Sequence, residues 1–480
     1  MFRFLPESKR GGIANAGFVA VITALLASAA LIRIRAAENN LWLDEISSLN
    51  SVRQISSPLE IFYRIHSDNN HYLNTIWLYI AGFRGDWFGY RVPSLLAGIG
   101  TVALAGVIGL PRGMTCAVLA MILTSFSYVL ILYSSEARGY SALVFFSFLS
   151  FHLMNRYLAH QHWQIGALFS LTCCFGFLSH LTFLTFFLSS LIWFAFRLSQ
   201  SRQRYCRYFA SLTLCYGLPT LLFAVLYWLD VRRMVFNGGD NLGLFYCYRS
   251  SLAWTLGLPS ETLNWLMFAI ASMLLFLGIH LLWRERSDMA VFFVGAIVVL
   301  PVLLVFVSRP TVLYVRYFII PIAFSLVLLS FVFAALCTAW KGRGRVLCGF
   351  VLAGYFLSNG PALAALLNFG RGETGECIRY LLRNSKETPV TVTGNQDFRV
   401  GSVVDFYTQT MHAENQLVYC PADRLPVNEP EWFISSKDYY SDPTPQAKTL
   451  YSPAGRRYEL ERIYPCAPLS GLPWFVYHRK

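Results

Sequence analysis

Long apolar runs, each close to the length of a membrane-spanning helix, recur along most of this 480-residue sequence and limit what it can fold into. A helix rises about 1.5 Å per residue, so about 20 apolar residues cross a hydrocarbon layer roughly 30 Å thick. Only 14% of the residues are charged and 55% are hydrophobic, which excludes an ordinary soluble domain. The sequence therefore predicts a polytopic membrane protein.

About eleven runs satisfy this length criterion, and a transmembrane helix is predicted for each. The first lacks a small-residue cleavage site, so we interpret it as a retained helix and not as a signal peptide. A further apolar segment, 72–83, is too short to span and predicts an interfacial or re-entrant helix. The predicted spans are 13–32, 92–110, 114–132, 141–158, 165–179, 181–196, 208–229, 263–283, 290–307, 318–339 and 346–367.

Basic residues indicate the orientation of these spans. With a cytoplasmic N-terminus, the cytoplasmic face receives Arg112 and the basic segments 1–10, 197–207, 283–288 and 341–345, as the positive-inside rule requires. The outer face then receives the first loop, 33–91, and the polar tail. The net charge of +13 is explained by this loop bias and by phospholipid headgroups, so it does not require a nucleic-acid partner.

The polar tail predicts a small α/β domain, and we divide the chain into a transmembrane domain, 1–367, and a periplasmic domain, 368–480. Thr374 is the predicted N-cap of a helix over 374–385. Two tail cysteines, Cys420 and Cys466, could form a disulfide if the tail faces an oxidising compartment. Strands are predicted at 389–394, 416–420, 431–435, 458–464 and 474–479.

Adjacent carboxylates follow the first span in the stretch NNLWLDEISSLN, residues 39–50. One interpretation is a solvated acidic pair at the exit from a membrane. However, Asp44 and Glu45 lie beside Trp42 and two leucines, and apolar surroundings raise the pKa of a carboxylate and make it a stronger base. Such a base could take the proton from an acceptor hydroxyl as that hydroxyl attacks a sugar.

The turn YSSEARGY, 133–140, carries two charges that a short connection between spans does not need. Glu136 and Arg138 could form an ion pair at the headgroups, or Arg138 could bind a phosphate through two parallel hydrogen bonds. Arg316, between two tyrosines, allows the same choice between an interfacial anchor and a second phosphate-binding cation.

Two histidines complete the predicted outer set. His71 and His180 each lie near a predicted helix end, where a histidine is usually a structural hydrogen-bonding group. With Glu45 or Asp68 they could instead form a weak divalent-metal site, although their spacing does not specify one. No pair of cysteines has metal-ligand spacing.

The order of these motifs resembles the C-type membrane glycosyltransferases. Within that class, the resemblance is to the bacterial dolichyl-phosphate-mannose-protein mannosyltransferase-like and aminoarabinose-transferase-like branch. It is strongest over residues 35–185 and departs from the family at residues 71–73, where the family has prolines. The matching motifs are Asp44-Glu45, His71-Tyr72-Leu73, Gly89 with Arg91-Val92-Pro93-Ser94, Ser135-Glu136-Ala137-Arg138-Gly139-Tyr140, the SHLTF segment around His180, and Arg316-Tyr317.

The resemblance implies an all-α polytopic membrane domain with a C-terminal soluble α/β domain, in a bacterial inner membrane with a periplasmic active site. It implies a polyprenyl-phosphate sugar donor, such as an undecaprenyl-phosphate sugar, and a protein, lipid or glycan acceptor. Asp44 would be the general base of an inverting transfer, and Arg138 and Arg316 would hold the donor phosphate. Some members bind a divalent metal ion, but no cofactor is a fixed requirement. The remaining implied site residues are Glu45 and Glu136, which would orient sugar or cation, and Tyr140, Tyr317, His71, Arg91 and His180, which would contact substrate.

Two other functions fit a polytopic protein with outer arginines. A transporter or flippase of a lipid-linked sugar tends to place ionisable groups in mid-span and often has inverted repeats, and neither feature is visible here. An O-antigen-ligase-like transferase would have a late outer loop with arginines and a histidine. Loop 230–262 has Arg232, Arg233 and Arg249 but no histidine.

Overall fold

The computed structural model describes residues 11–83, 85, 87–200, 205–236, 239, 241–257, 261–424, 429–437, 446–452 and 455–480. The predicted basic segment 1–10 lies outside the described residues, as do parts of 197–207 and of loop 230–262. The contacts of the chain divide it into two compact units. The first comprises Met1–Ile34, Ser57–Trp77 and Arg91–Gly360, and the second comprises Arg35–Ser56, Leu78–Tyr90 and Pro361–Lys480. The second unit thus includes parts of the first predicted outer loop together with the polar tail.

Helices form most of the described chain. They are α1 (Gly11–Ala37), α2 (Leu43–Arg53), α3 (Tyr72–Ala81), α4 (Trp87–Gly109), α5 (Met114–Phe126), α6 (Tyr128–Ser134), α7 (Tyr140–His160), α8 (Trp163–Ser179), α9 (Phe183–Ser199), α10 (Tyr205–Leu212), α11 (Leu218–Leu229), α12 (Leu244–Trp254), α13 (Glu261–Arg284), α14 (Met289–Phe293), α15 (Leu300–Ser308), α16 (Ile319–Ala339), α17 (Lys341–Phe369), α18 (Thr374–Asn384) and α19 (Asp397–Thr410). Short π-helical turns, Thr213–Gly217 and Val294–Val299, join α10 to α11 and α14 to α15.

Eight described helices are long and apolar enough to cross a membrane, or nine if the bent pair α5–α6 is one span. Nine of the about eleven predicted spans thus correspond to these helices, and the other two correspond to the shorter apolar helices α8 and α9. All the predicted segments are helical, but α8 and α9 have only 17 residues each. The predicted boundary between them is confirmed, because α8 ends at Ser179 and α9 begins at Phe183. The chain is a multi-pass membrane protein.

The span that precedes the turn 135–139 is broken. Helices α5 and α6 meet at a bend of 62°, where Ser127 has an extended backbone. The carbonyls freed at the end of α5 accept hydrogen bonds from side chains of distant helices. Arg33 donates to Thr124 and Ser125 over 3.1 and 3.2 Å, and the Tyr355 hydroxyl donates to Leu123 over 2.6 Å. A break at membrane depth is tolerated only when its backbone groups are satisfied in this way.

Helix α16 is the most buried of the candidate spans. In the most apolar part of the span Val315–Ala339, 89% of the residues are buried. Phe324 packs against the rings of Phe148, Phe186 and Phe292 on neighbouring helices. The span begins with a 3-10 turn, Val315–Phe318, that carries Arg316 and Tyr317. A densely packed helix thus fixes the backbone beside these two residues.

The tail forms the predicted α/β fold around one six-stranded sheet, with strand order β2-β1-β3-β6-β5-β4. Strand β1, next to the edge strand β2, is parallel to β2 and β3, and the remaining pairs are antiparallel. Tyr458, Phe475 and Tyr477 form a buried cluster within the sheet. The strands are β1 (Val390–Gly394), β2 (Leu417–Tyr419), β3 (Trp432–Ser436), β4 (Thr449–Tyr451), β5 (Arg457–Tyr464) and β6 (Trp474–Arg479).

Three details of the tail differ from the sequence predictions. Glu373, not Thr374, occupies the N-cap position of α18, so the predicted cap was wrong by one residue. Helix α19 and strand β4 were not predicted. Among the described residues, Cys420 and Cys466 are both thiols, so the disulfide considered between them is not formed here.

Candidate active site

The Glu-Ala-Arg-Gly turn between α6 and α7 approaches the end of α8 so closely that only glycine fits at position 139. A Cβ atom on Gly139 would lie 1.9 Å from the carbonyl oxygen of Ser179, far inside a van der Waals contact. The Gly139 N–H donates to Nδ1 of His71 over 3.0 Å. Gly139 therefore joins the first loop, the turn and α8 at one point.

Two further side chains fix the backbone of the same turn. Asn74 Nδ2 donates to the carbonyl of Ala137 over 2.7 Å, and Ser94 Oγ donates to the carbonyl of Arg138 over 3.0 Å. Ser141 in turn donates to the carbonyl of Ser94 over 2.7 Å. The Arg-Val-Pro-Ser motif of α4 thus has a structural explanation, because its serine holds the residue that bears the guanidinium.

Both predicted site histidines are buried in a fixed neutral form. Nδ1 of His71 accepts the N–H of Gly139, and Nδ1 of His180 accepts the N–H of Thr182 over 3.1 Å. A backbone N–H can only donate, so the neutral rings carry their protons on Nε2. Burial, assisted by nearby positive charge, lowers the pKa of His71 well below its ordinary value and that of His180 to about 3. Each ring therefore presents an N–H donor and no basic nitrogen.

These histidines pack with two predicted substrate-binding tyrosines. The ring of His180 lies 4.8 Å from that of His71, 4.6 Å from that of Tyr140 and 6.3 Å from that of Tyr317. Within the described part of the chain, the buried Nε2 of His71 and the buried hydroxyl of Tyr140 have no hydrogen-bond partner. Buried polar groups are nearly always paired in folded proteins, so these atoms indicate a place for a bound polar group.

Two predicted cations lie over tyrosine rings beside this cluster. The guanidinium carbon of Arg138 is 4.9 Å from the ring centroid of Tyr140, and that of Arg316 is 4.5 Å from Tyr314 and 5.8 Å from Tyr317. Both positive charges act on the two histidines and help to keep them neutral. Asn69, which the sequence analysis did not single out, accepts a hydrogen bond of 2.7 Å from Nη2 of Arg138.

Glu136 and Arg91, also predicted site residues, are fully buried in the same unit. Glu136 lies in the turn that carries Arg138, and Arg91 lies in the first turns of α4. The first unit therefore brings together Arg138, Arg316, His71, His180, Tyr140 and Tyr317, and it also contains Glu136 and Arg91.

Asp44 and Glu45 belong to the second unit, in the first turn of α2. Oε2 of Glu45 accepts the backbone N–H of Trp42 over 3.3 Å, so this buried carboxylate caps the helix. Asp44 is half-buried. The far end of α2 is held by α19, because Arg53 donates to Gln409 over 3.1 Å. The unpredicted helix α19 therefore supports the element that presents Asp44.

One buried carboxylate, Asp230, was missed by the sequence analysis. Asp230 directly follows α11, is fully buried, and accepts hydrogen bonds from residues of the first loop. An acidic residue at the end of an apolar run was the available signal, but its partners are about 160 residues away. Within the described residues, no three His, Cys, Asp or Glu side chains are grouped so that they could hold a metal ion.

Comparison with known proteins supports the fold. No family model matches the sequence, and no curated protein matches it. Among solved structures, ArnT from Cupriavidus metallidurans in the apo state is similar, with a TM-score of 0.51 and 11% sequence identity over 97% of this chain and 98% of that chain. The chain therefore has the fold of ArnT, and the predicted C-type glycosyltransferase fold, a helical membrane domain with a C-terminal α/β domain, is confirmed.

Proposed function

We propose that this protein is a membrane glycosyltransferase that moves a monosaccharide from a polyprenyl-phosphate donor to a hydroxyl acceptor, with inversion at the anomeric carbon. The donor would be an undecaprenyl-phosphate sugar in a bacterial inner membrane. The site would face the periplasm, with a cytoplasmic N-terminus and a periplasmic C-terminal domain. The likeness to ArnT supports this class of reaction by analogy of fold.

One observation carries the proposal: the side chains clustered in the first unit are chiefly hydrogen-bond donors and cations. Arg138 and Arg316 are permanently charged, and His71 and His180 are neutral rings with the proton on Nε2. Tyr140 adds a buried hydroxyl. Such a set suits a phosphate, whose oxygens only accept hydrogen bonds, and guanidinium groups match phosphate geometry.

The same donors would stabilise the leaving group. As the acceptor oxygen bonds to the anomeric carbon, the bond from that carbon to the phosphate oxygen breaks, and its electron pair goes to the polyprenyl phosphate. Negative charge therefore grows on the phosphate in the transition state, where fixed donors in a water-poor site contribute most. Glu136 would orient the sugar, and Arg91 would contact the substrate.

The acceptor proton needs a base, and the histidines are unsuitable because Nδ1 of each accepts a protein N–H. As the family resemblance implies, we propose that the base is the carboxylate of Asp44, which is half-buried in the first turn of α2. Glu45 would orient the sugar or a cation, as the family resemblance implies, and by capping the turn it would also hold Asp44 in place. The acceptor, whether protein, lipid or glycan, would be bound so that its hydroxyl reaches Asp44.

The test uses purified protein in detergent, radiolabelled undecaprenyl-phosphate sugars and a membrane extract as acceptor. We would compare the wild type with Asp44→Asn, with Glu60→Gln as the matched control. Glu60 lies in the same loop and pairs with Arg64 at the surface. We expect label transfer by the wild type and by Glu60→Gln. Asp44→Asn should lose roughly a hundredfold or more in rate, as is typical for removal of a general base, while binding undecaprenyl phosphate normally.

Two outcomes would contradict the proposal. Equal transfer by Asp44→Asn and the wild type would remove Asp44 from the chemistry. An absence of transfer, with movement of the labelled lipid across reconstituted vesicles, would indicate a transporter of the lipid-linked sugar.

A further inference from the structure

Asp230 receives three hydrogen bonds from one short segment of the first loop. The hydroxyl of Tyr72 donates to Oδ2 over 2.7 Å, and Nδ2 of Asn70 lies 3.5 Å from the same oxygen. Nδ1 of His66 lies 2.8 Å from Oδ1. Asp230 itself is fully buried. A buried carboxylate is costly unless its oxygens accept hydrogen bonds, so these donors stabilise Asp230 in its buried position.

The backbone on both sides of these contacts is also paired. The N–H of Val235 donates to the carbonyl of His66 over 2.8 Å, and the N–H of Asp68 donates to the carbonyl of Val235 over 3.2 Å. Asn70 additionally donates to the carbonyls of Ile61 and Ile65 over 2.8 and 2.9 Å. Residues 66–72 are therefore held against residues 230–235 at both backbone and side-chain level.

The segment fixed in this way carries two contacts of the candidate site. Asn69 accepts from Nη2 of Arg138, and His71 accepts from the N–H of Gly139. Both lie between His66 and Tyr72, which contact Asp230 directly. A shift of this segment would move the partner of the Arg138 guanidinium and the ring of His71 together.

Described residues after Asp230 also contact the segment that bears Arg316, the other cation of the site. The N–H of Leu242 donates to the carbonyl of Leu313 over 3.2 Å, three residues before Arg316. A Cβ atom on Gly239 would lie 2.6 Å from the hydroxyl oxygen of Tyr314. The region after α11 thus contacts the segment that bears Asn69 and His71 as well as the segment that bears Arg316.

We propose that Asp230 is a positioning residue of this site: through His66, Asn70 and Tyr72 it fixes the segment 66–72, and thereby the placement of Asn69 on Arg138 and of His71 on Gly139. The carboxylate suits this role because all of its contacts are with donors. An amide has one acceptor oxygen and an NH2 group that donates, so Asp230→Asn removes the charge and one of the two acceptor oxygens, and Nδ1 of His66 could keep its contact only by changing tautomer. This inference rests on the proposed function in one respect, because undecaprenyl phosphate is used as the binding probe.

The experiment measures two quantities for Asp230→Asn in detergent. One is the dissociation constant for undecaprenyl phosphate, and the other is hydrogen–deuterium exchange of the backbone over 66–75. We expect binding to weaken roughly tenfold, the size of effect that one misplaced charge-assisted contact produces, and exchange over 66–75 to rise. Tyr72→Phe, which removes a single donor, should weaken binding less.

The matched control is Asp288→Asn. Asp288 accepts from Nε1 of Trp193 over 3.0 Å and pairs with Arg197 at 3.5 Å, so the same chemical change is made at another aspartate of the first unit. We expect this variant to bind undecaprenyl phosphate as the wild type does. Equal weakening of binding in Asp230→Asn and Asp288→Asn would overturn the proposal and leave Asp230 a general stability residue.

A double-mutant cycle with Asn69→Ala distinguishes positioning from simple destabilisation. Because Asp230 is proposed to place both Asn69 and His71, the double variant should lose less binding of undecaprenyl phosphate than the sum of the two separate losses, and the part that depends on His71 should remain. Fully additive losses would overturn the proposed path. If the wild type does not bind undecaprenyl phosphate, the proposed function fails. The positioning role then stands or falls on whether exchange over 66–75 rises in Asp230→Asn but not in Asp288→Asn.

Discussion

The ring of His180 lies 4.8 Å from the ring of His71, and neither ring can take a proton without losing a hydrogen bond to a backbone N–H. A pair of buried imidazoles that close together would repel strongly if both were charged. The folded protein holds both rings neutral, which makes them suitable donors to a phosphate. Acid therefore favours the unfolded chain, in which both rings can take up a proton.

Protonation of these histidines links the stability of the protein to pH. The folded pKa of His180 is about 3, against an ordinary value of 6.5, so between these values the unfolded chain binds a proton that the folded chain does not. Stability contributed by the neutral ring is therefore present above pH 6.5 and is lost as the pH falls toward 3, by about 1.4 kcal/mol per pH unit for each such histidine. We expect the temperature of the unfolding midpoint in detergent to decrease as the pH is lowered from 7 to 4.5.

His180→Asn retains an acceptor for the N–H of Thr182 but does not titrate. The unfolding midpoint of this variant should depend less steeply on pH than that of the wild type. His160→Gln is the control, because His160 is exposed at the end of α7. Identical pH slopes for the wild type and His180→Asn would show that His180 is not held neutral by burial.

Glu45 allows the capping and catalytic roles of the acid pair to be separated. Glu45→Gln keeps an oxygen that can accept the N–H of Trp42, whereas Glu45→Ala removes the cap of α2. We expect Glu45→Ala to lose about 1 kcal/mol of unfolding free energy, as for other N-terminal caps, and Glu45→Gln to lose less. If Glu45 acts only as a cap, Glu45→Gln should retain most of the transfer activity. A stable but inactive Glu45→Gln would show instead that the charge itself takes part in the reaction.

The guanidinium shape of Arg138 should matter as well as its charge. Arg138→Lys keeps one positive charge but loses the planar arrangement that lets one face contact Tyr140 while Nη2 donates to Asn69. We expect undecaprenyl phosphate to bind about tenfold more weakly, because an ammonium group cannot form two parallel hydrogen bonds to phosphate. Arg112→Lys is the control, at an arginine paired with Glu285, and it should leave binding unchanged. Unchanged binding by Arg138→Lys would argue against a phosphate at this position.

Gly139 provides a steric test of the site. A Cβ atom there would overlap the carbonyl oxygen of Ser179, and relief requires the turn to move away from α8. We expect the unfolding free energy of Gly139→Ala to be lower than that of the wild type by about 1–3 kcal/mol or more, as is typical of overpacked sites. We also expect this variant to bind undecaprenyl phosphate poorly. Gly354→Ala in α17, where a Cβ meets nothing within 4 Å, should be neutral or slightly stabilising. Wild-type stability of Gly139→Ala would contradict the close contact.

The sequence was informative wherever the signal is local. Apolar length identified the long apolar helices, and the charges in YSSEARGY identified the turn that holds Arg138, whereas α2 and α12 lie in segments that were predicted as loops. Short strand-like runs bounded by Pro, Gly and Asn located five of the six strands. Helix α19 was missed even though its buried residues Val400, Val404 and Tyr407 have helical spacing, because its β-branched and aromatic residues favour strands.

What could not be predicted depends on contacts between distant parts of the chain. The donors to Asp230 are about 160 residues away, and no spacing rule connects an aspartate after α11 to a tyrosine of the first loop. The neutral form of His71 depends on the N–H of Gly139, 68 residues further along the chain. The break between α5 and α6 contains neither glycine nor proline, so the run reads as one continuous span.

That break yields a last prediction, because it depends on a buried cation from another helix. Arg33 is 1% exposed, and its guanidinium donates to the carbonyls of Ala29, Thr124 and Ser125. The last two belong to the end of α5, where the carbonyls carry the negative end of the helix dipole.

Arg33→Met would leave both carbonyls without these donors in an apolar environment, at a cost of about 1–3 kcal/mol each. We expect a marked fall in the unfolding midpoint and faster backbone exchange over 123–130. Tyr355→Phe, which removes the bond to the Leu123 carbonyl, should have a smaller effect of the same kind. Arg35→Gln, two residues along α1 at an exposed ion pair with Glu38, should have none. If Arg33→Met were as stable as Arg35→Gln, the bend at Ser127 would not depend on the hydrogen bonds from Arg33.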